Sequence, residues 1–287
     1  MKKISLVLGC FLLTQLSSSA ILSEYYCPKQ PYALSSSISG NVAKYSGANF
    51  VTKQLTEKLI ANVLKDELKA DFDVQLKPFE NNNLLNGKFK SLSVFGKNAN
   101  WRGFYISALS ANTVCGFNHI KYENSTLYFL ENTVVKYSAR INEKDLKQTL
   151  KSNEYISSLR SAKIKANNKV LAEVSDVDMS IKNDKILMSI DLNIPFVFGS
   201  VPQKISLTSG LSVENGKIIF DEPNKENNFL DMLLKSSMPL LEKINPFVYK
   251  VQTKDKYDII LNVENVRIEN NEIFTDGYVV IKRNYTK

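Results

Sequence analysis

The segment Ile186-Leu187-Met188-Ser189-Ile190-Asp191-Leu192-Asn193-Ile194 places an apolar side chain at every second position. A period of two predicts a β-strand with one buried face. Turn residues such as Asn215-Gly216 and Asp276-Gly277 separate further segments of this kind, which predicts antiparallel meanders. The same alternation recurs in Phe72-Val74-Leu76, Val135-Tyr137-Ala139-Ile141, Val170-Ala172-Val174, Val177-Met179-Ile181, Ile205-Leu207, Ile218-Phe220, Tyr257-Ile259-Leu261-Val263 and Tyr278-Val280.

Three segments repeat apolar residues at steps of three and four, which predicts amphipathic helices. They cover about 50–69, 143–158 and 227–244. We expect the third helix to bend at Pro239 and to end before Asn245-Pro246, because a residue before proline is disfavoured in the helical region.

These elements predict an α+β fold with a long, strongly curved antiparallel β-sheet, a meander or half-barrel, wrapped on two or three amphipathic helices. We expect one domain over 50–287, preceded by a loose N-terminal segment over 21–49. Such a sheet either packs a filled core or encloses an apolar groove, and the periodicity leaves both alternatives open.

The first twenty residues have the pattern of a secretory signal peptide. Lys2 and Lys3 precede an apolar run, and Ser18-Ser19-Ala20 offers a small-residue cleavage site. We expect cleavage after Ala20 and a periplasmic or cell-envelope location. Lipid attachment at Cys10 is the alternative, although Cys10 leaves room for only a very short apolar region before it.

Export also decides how the cysteines are interpreted. Cys10 is removed with the signal peptide, which leaves Cys27 and Cys115 as an even pair in an oxidising compartment. We predict that these two residues form a disulfide. Two unrelated thiols are the alternative.

The charge balance and the missing motifs restrict the function. Lys and Arg together number 37 against 29 Asp and Glu, and most of the cations are lysine. Lysine lacks the planar fork that reads bases and phosphates, so we predict no nucleic-acid partner but allow contact with an anionic membrane surface. The chain has a single histidine, His119, and no phosphate loop or dinucleotide motif. We therefore predict no catalytic residues, no cofactor and no metal.

Two carboxylate pairs, Asp71/Asp73 and Asp176/Asp178, have a spacing that places both members on one strand face. A cation could bind there, but the apolar residues between the members point to the core. The simpler interpretation is that both pairs lie on the solvated face.

Four short motifs, in their order along most of the chain, resemble the LmeA-like bacterial envelope proteins, an exported phospholipid-binding family of tubular-lipid-binding type. Leu84-Leu85-Asn86-Gly87-Lys88-Phe89 resembles the family's leucine-leucine-x-glycine turn. Asn142-Glu143-Lys144-Asp145-Leu146-Lys147, followed by Leu150, resembles its threonine-glutamate-aspartate-leucine helix start, with Asn142 replacing threonine. Ile244-Asn245-Pro246-Phe247 and Asp276-Gly277-Tyr278-Val279-Val280-Ile281 are similar to its closing elements.

The resemblance implies a non-enzymatic lipid-binding protein of the bacterial envelope, which holds the acyl chains of a phospholipid or a lipid-linked glycoconjugate in an apolar groove. The alternative is a structural or adaptor protein with a filled core that binds polysaccharide or a protein partner. For the groove, the hypothetical lining consists of Leu55, Leu59, Val63, Ile186, Met188, Ile190, Leu192, Phe196 and Phe198.

Overall fold

The computed structural model describes residues 26–34, 48–123, 126–160, 163–166, 169–193, 203–221, 238–248 and 259–283. Its helices are α1 (Ala48–Leu68), α2 (Asn81–Leu85), α3 (Glu143–Leu150), α4 (Asn153–Leu159) and α5 (Met238–Ile244). Its strands are β1 (Phe72–Pro78), β2 (Lys88–Trp101), β3 (Phe104–Thr113), β4 (Asn118–Glu123), β5 (Thr126–Phe129), β6 (Thr133–Asn142), β7 (Lys163–Ala166), β8 (Lys169–Lys182), β9 (Lys185–Asn193), β10 (Gln203–Ser209), β11 (Leu211–Glu214), β12 (Lys217–Phe220), β13 (Ile259–Glu269) and β14 (Glu272–Ile281).

The described strands form three open sheets, and their pairing is antiparallel. The largest sheet has eight strands in the order β13-β14-β6-β3-β2-β4-β5, with β1 paired to β2. A four-stranded sheet follows the order β10-β9-β8-β7, and β11 and β12 form a hairpin. The predicted antiparallel sheet with few helices is confirmed, but the strands divide among three sheets instead of one.

Strand β8 joins two segments that the sequence pattern separates. Its pairing with β9 shifts register between Val174 and Asp176. A bulge at this point adds one residue, so Val174 and Val177 both point to the buried side although three positions separate them. One fourteen-residue strand therefore accounts for both alternating sets.

The turn predicted at Asp276-Gly277 is wrong. Both residues lie inside β14, and the hairpin turns instead at Asn270 and Asn271, which have φ values of 54° and 58°. Gly277 faces a register shift in β13, and a Cβ on it would collide with the backbone of Asn262 and Val263. The glycine is required by this close approach, so it does not mark a turn here.

The helix predicted over 143–158 is interrupted. Helix α3 begins with a capping box, in which the Asn142 side chain accepts a hydrogen bond from Asp145 N and the Asp145 carboxylate accepts one from Asn142 N. Asp145 also accepts a hydrogen bond from the Ser107 hydroxyl of β3. A second cap then starts α4, because Ser152 Oγ accepts a hydrogen bond from Tyr155 N.

Helix α5 ends before Asn245-Pro246, as expected. The Asn245 amide donates to Ile218 O at 2.8 Å and accepts from Phe247 N at 2.9 Å. The Tyr155 hydroxyl donates to Ile244 O at 2.7 Å. The Ile-Asn-Pro motif therefore anchors the end of α5 to the β11–β12 hairpin and to α4.

Apolar side chains gather in two main cores. The first core holds the inner faces of β8 and β9 together with α3, α4 and α5. The second core holds α1 against β1 and β2. A smaller cluster joins Cys115, Val134, Tyr278 and Val280, with Tyr26 and Cys27 packed against it.

Several predictions lie outside the described residues. These are the signal peptide over 1–20, most of the loose segment over 21–49, the part of the third helix before Met238, and the apolar segment that contains Phe196 and Phe198. Pro239 is the second residue of α5, so the predicted bend there involves residues that the structure does not describe.

Candidate functional site

The four predicted lining residues of β9 pack against other protein side chains and do not face a groove. Ile186, Met188, Ile190 and Leu192 are 0–3 % exposed. They belong to the first core, where the side chains of α3 and α4 pack with them. This sheet therefore packs on a filled core and does not enclose an apolar groove at β9.

The predicted lining residues of α1 lie elsewhere. Leu59 packs into the second core, Val63 is half-buried, and Leu55 is 64 % exposed. Helix α1 contacts β1, β2 and α2. The structure thus places the α1 and β9 residues in two different cores and does not bring them together.

An apolar surface that continues from the second core, against which Val94 and Tyr137 pack, crosses the eight-stranded sheet. Residues opposite each other in antiparallel strands share a face, so the strand pairing defines rows of side chains. One row runs Val94, Ala111, Tyr137, Gly277 and Val263 across β2, β3, β6, β14 and β13. The adjacent row runs Thr113, Val135, Val279 and Leu261 across four of these strands. We call these two rows the open apolar face.

Most of the open apolar face is incompletely covered. Val94, Ala111, Thr113, Val135, Tyr137 and Val279 are half-buried, and Leu261 is 41 % exposed. At about 4.8 Å between strands, the five-strand row spans roughly 19 Å. This surface is therefore long, apolar and partly accessible. Burial raises the pKa of Tyr137 to about 12, so its phenol stays neutral.

The other face of the same strands is covered near Val134 and Val280 and exposed further along, at Lys136, Ser138 and Arg140 of β6. Val134 and Val280 are at most 3 % exposed, beneath Tyr26 and Cys27 of the N-terminal segment 26–34. Adjacent apolar pairs such as Val134-Val135 are typical of strands that bury both faces. Alternation in the sequence already places Val135 and Tyr137 on one face, but it does not show that this face stays partly open.

Segment 26–34, which we call the strap, is held by a disulfide and two hydrogen bonds. The Cα atoms of Cys27 and Cys115 lie 5.2 Å apart in a disulfide, which confirms the predicted pairing. The Tyr32 hydroxyl donates to Asn118 O at 2.8 Å, and Lys88 Nζ donates to Ala33 O at 3.1 Å. Burial and, secondarily, the charge of Glu131 raise the pKa of Tyr32 to about 12.

His119 lies under the strap, with its ring 5.3 Å from that of Tyr32. Burial lowers its pKa from 6.5, and the Lys88 charge lowers it further, while a hydrogen bond to the backbone of Asn86 opposes the shift. The folded state therefore prefers neutral His119.

We predict that the protein loses stability as the pH falls below 6.5, the ordinary histidine value. A depressed pKa means that the unfolded chain binds the proton more tightly than the folded chain. The stability that His119 contributes is therefore complete above the unfolded-state pKa and is lost as the pH falls from that value through the folded-state pKa. Urea unfolding at about pH 7.5 and about pH 5.5 measures the change, and a His119→Phe variant should flatten this part of the profile. An imidazole NMR titration of the single histidine with a pKa at or above 6.5 would contradict the prediction.

The carboxylate pairs are exposed. Asp71 accepts a 2.7 Å hydrogen bond from Lys65, and Asp73 accepts one of 3.3 Å from Gln75. Asp176 and Asp178 also face solvent. Among the described residues, no group of three or more His, Cys, Asp or Glu side chains is arranged to hold a metal ion.

In the part of the chain that the structure describes, no helix combines the length and hydropathy needed to cross a bilayer. Comparison with known proteins found no matching family model, no matching curated protein and no matching solved structure.

Proposed function

We propose that this protein binds lipid without catalysing a reaction, and that the acyl chains lie on the open apolar face. One observation carries the proposal: two apolar rows cross up to five strands with most of their side chains still partly exposed. Contiguous apolar patches that stay partly exposed in the folded chain are a feature of binding surfaces. The row length is comparable with that of an extended acyl chain.

The gain from binding comes from removing water from both surfaces. Each methylene that leaves water contributes about 0.8 kcal/mol. In this proposal the eight-stranded sheet curves around α1 as a half-barrel, and the open apolar face forms the inside of a groove. Its ligand is a phospholipid or a lipid-linked glycoconjugate, in line with the resemblance to the LmeA-like proteins.

The proposed setting is the bacterial cell envelope, after signal-peptide cleavage at Ala20. The Cys27–Cys115 disulfide is compatible with an exported protein. The proposal moves the ligand away from β9, because Met188 and its neighbours already pack against protein side chains.

Two alanines of β3 offer a matched test. Ala111 lies in the open apolar face, whereas Ala108 pairs with Lys97 and Arg140 on the opposite face. Both are half-buried, so each leaves some space for a larger side chain. We expect Ala111→Trp to reduce uptake of a fluorescent phospholipid by about tenfold, the loss of about two buried methylenes.

Ala108→Trp should take up the lipid as the unaltered protein does. Circular dichroism and urea unfolding of both variants check that they fold. Equal uptake by two folded variants would remove the open apolar face as the lipid site.

The filled core around β9 favours a second candidate, an envelope adaptor that binds polysaccharide or a protein partner. This candidate predicts no bound lipid and no uptake from vesicles. The same uptake experiment therefore separates the two functions.

A further inference from the structure

Four aromatic rings form a connected cluster at one end of the eight-stranded sheet. Phe79, just after β1, stacks on Phe117 with ring centroids 5.4 Å apart. Tyr32 of the strap contacts Phe117 edge-on at 5.9 Å and His119 at 5.3 Å. All four side chains are half-buried, so the cluster is accessible at the surface.

Lysine side chains lie over two of these rings. Lys88 Nζ is 4.8 Å from the Tyr32 ring centroid, and Lys90 Nζ is 5.6 Å from that of Phe79. Lys90 is exposed, as are Lys77 just before Pro78 and Lys29 within the strap. The cluster therefore combines apolar rings with positive charge.

Exposed leucines adjoin the same end. Leu85 is 68 % exposed and Leu55 is 64 % exposed, the highest values for large apolar residues in the described part of the chain. Leu85 ends α2, which leads through Gly87 into Lys88, and Gly87 N donates to Leu84 O at 2.8 Å. Helix α2 packs against α1, which carries Leu55.

We propose that this docking end, formed by Tyr32, Phe79, Leu85, Lys88, Lys90 and Phe117, binds the surface of a bilayer that contains anionic phospholipid. Exposed leucine and aromatic rings suit the boundary between headgroups and acyl chains. Lysines beside them attract the phosphate groups, in the way that basic residues next to a membrane bind anionic lipid. The surface fits a membrane better than a sugar polymer because its exposed apolar member is a leucine and its charges are cationic.

The docking end and the open apolar face lie close together in the fold. Thr113 of the open apolar face precedes Phe117 by four residues, with the disulfide-bonded Cys115 between them. A protein docked in this way would bring the end of the open apolar face towards the membrane. Membrane contact itself needs no lipid on that face, so this inference goes beyond the proposed function.

Sedimentation with phosphatidylcholine vesicles, with and without phosphatidylglycerol, tests the proposal on the disulfide-bonded protein. We expect binding that requires phosphatidylglycerol and weakens as salt is added. Leu85→Asp should lower partitioning by about tenfold or more, because a leucine leaves the apolar boundary and a like charge meets the anionic surface. Lys88→Gln and Lys90→Gln should each lower it by about fivefold.

Controls of the same chemistry lie elsewhere on the molecule. Ile156→Asp changes an exposed apolar residue of α4, and Lys182→Gln with Lys185→Gln changes two exposed lysines at the β8–β9 turn. These controls should bind vesicles as the unaltered protein does.

Absence of vesicle binding by the unaltered protein would overturn the inference, and so would equal losses in the docking-end variants and the controls. Retention on insoluble polysaccharide without binding to vesicles would overturn it as well. Equal phospholipid uptake by the folded Ala111→Trp and Ala108→Trp variants would instead count against the proposed function alone, since vesicle sedimentation does not require a ligand on the open apolar face.

Discussion

Loss of the Cys27–Cys115 disulfide is expected to lower the free energy of unfolding by about 4 kcal/mol. The bond joins residues 88 positions apart, so the unfolded chain gains much conformational freedom when it is broken. It also holds the strap over Val134 and Val280, whose burial depends on that cover. Urea unfolding of the protein with and without reductant measures the change.

The Cys27→Ala/Cys115→Ala double variant provides the control for this result. It should match the reduced protein and show no further response to reductant. Oxidised and reduced proteins with the same midpoint would contradict the prediction and would mean that the strap contributes little to stability.

Met188→Ala is expected to cost about 3 kcal/mol of stability and to leave lipid content unchanged. Met188 is 2 % exposed in the centre of β9, so truncation leaves a cavity that the surrounding side chains cannot fully close. Chemical unfolding measures the stability, and extraction of the purified protein measures the lipid. Met188→Leu, which nearly conserves volume, should cost less than about 1.5 kcal/mol.

A different outcome at this position would reopen the original lining hypothesis. If Met188→Ala left stability almost unchanged but altered the lipid content, β9 would line a ligand cavity and would not be part of a filled core. The two readouts together therefore decide between the two interpretations of this strand.

Local pattern predicted the elements of this fold well. The alternation in 186–194 specifies β9, and the run from Val51 to Leu68 specifies α1, because each period depends only on neighbours in the sequence. The capping residues Asn142 and Asp145 marked the start of α3 for the same reason. The prediction failed where a distant strand imposes the geometry, as at Gly277 opposite the register shift in β13.

The candidate site was harder to predict because periodicity assigns a residue to a face but not to a partner. The pattern correctly placed Ile190 and Leu59 on the buried faces of their elements. It could not show that these two residues belong to different cores. The open apolar face is assembled from the β2–β3 hairpin, β6 and the β13–β14 hairpin, and β6 is far in sequence from the β13–β14 hairpin. Only the strand pairing brings Ala111 into line with Tyr137 and Val263.

Lipid binding is tested by organic extraction and mass spectrometry of this protein, purified without detergent beside an exported control protein of similar charge. We expect phospholipid or glycolipid in stoichiometric amount. Lipid no higher than in the control, together with failure to take up lipid from added vesicles, would contradict the proposed lipid binding and favour the adaptor with a filled core.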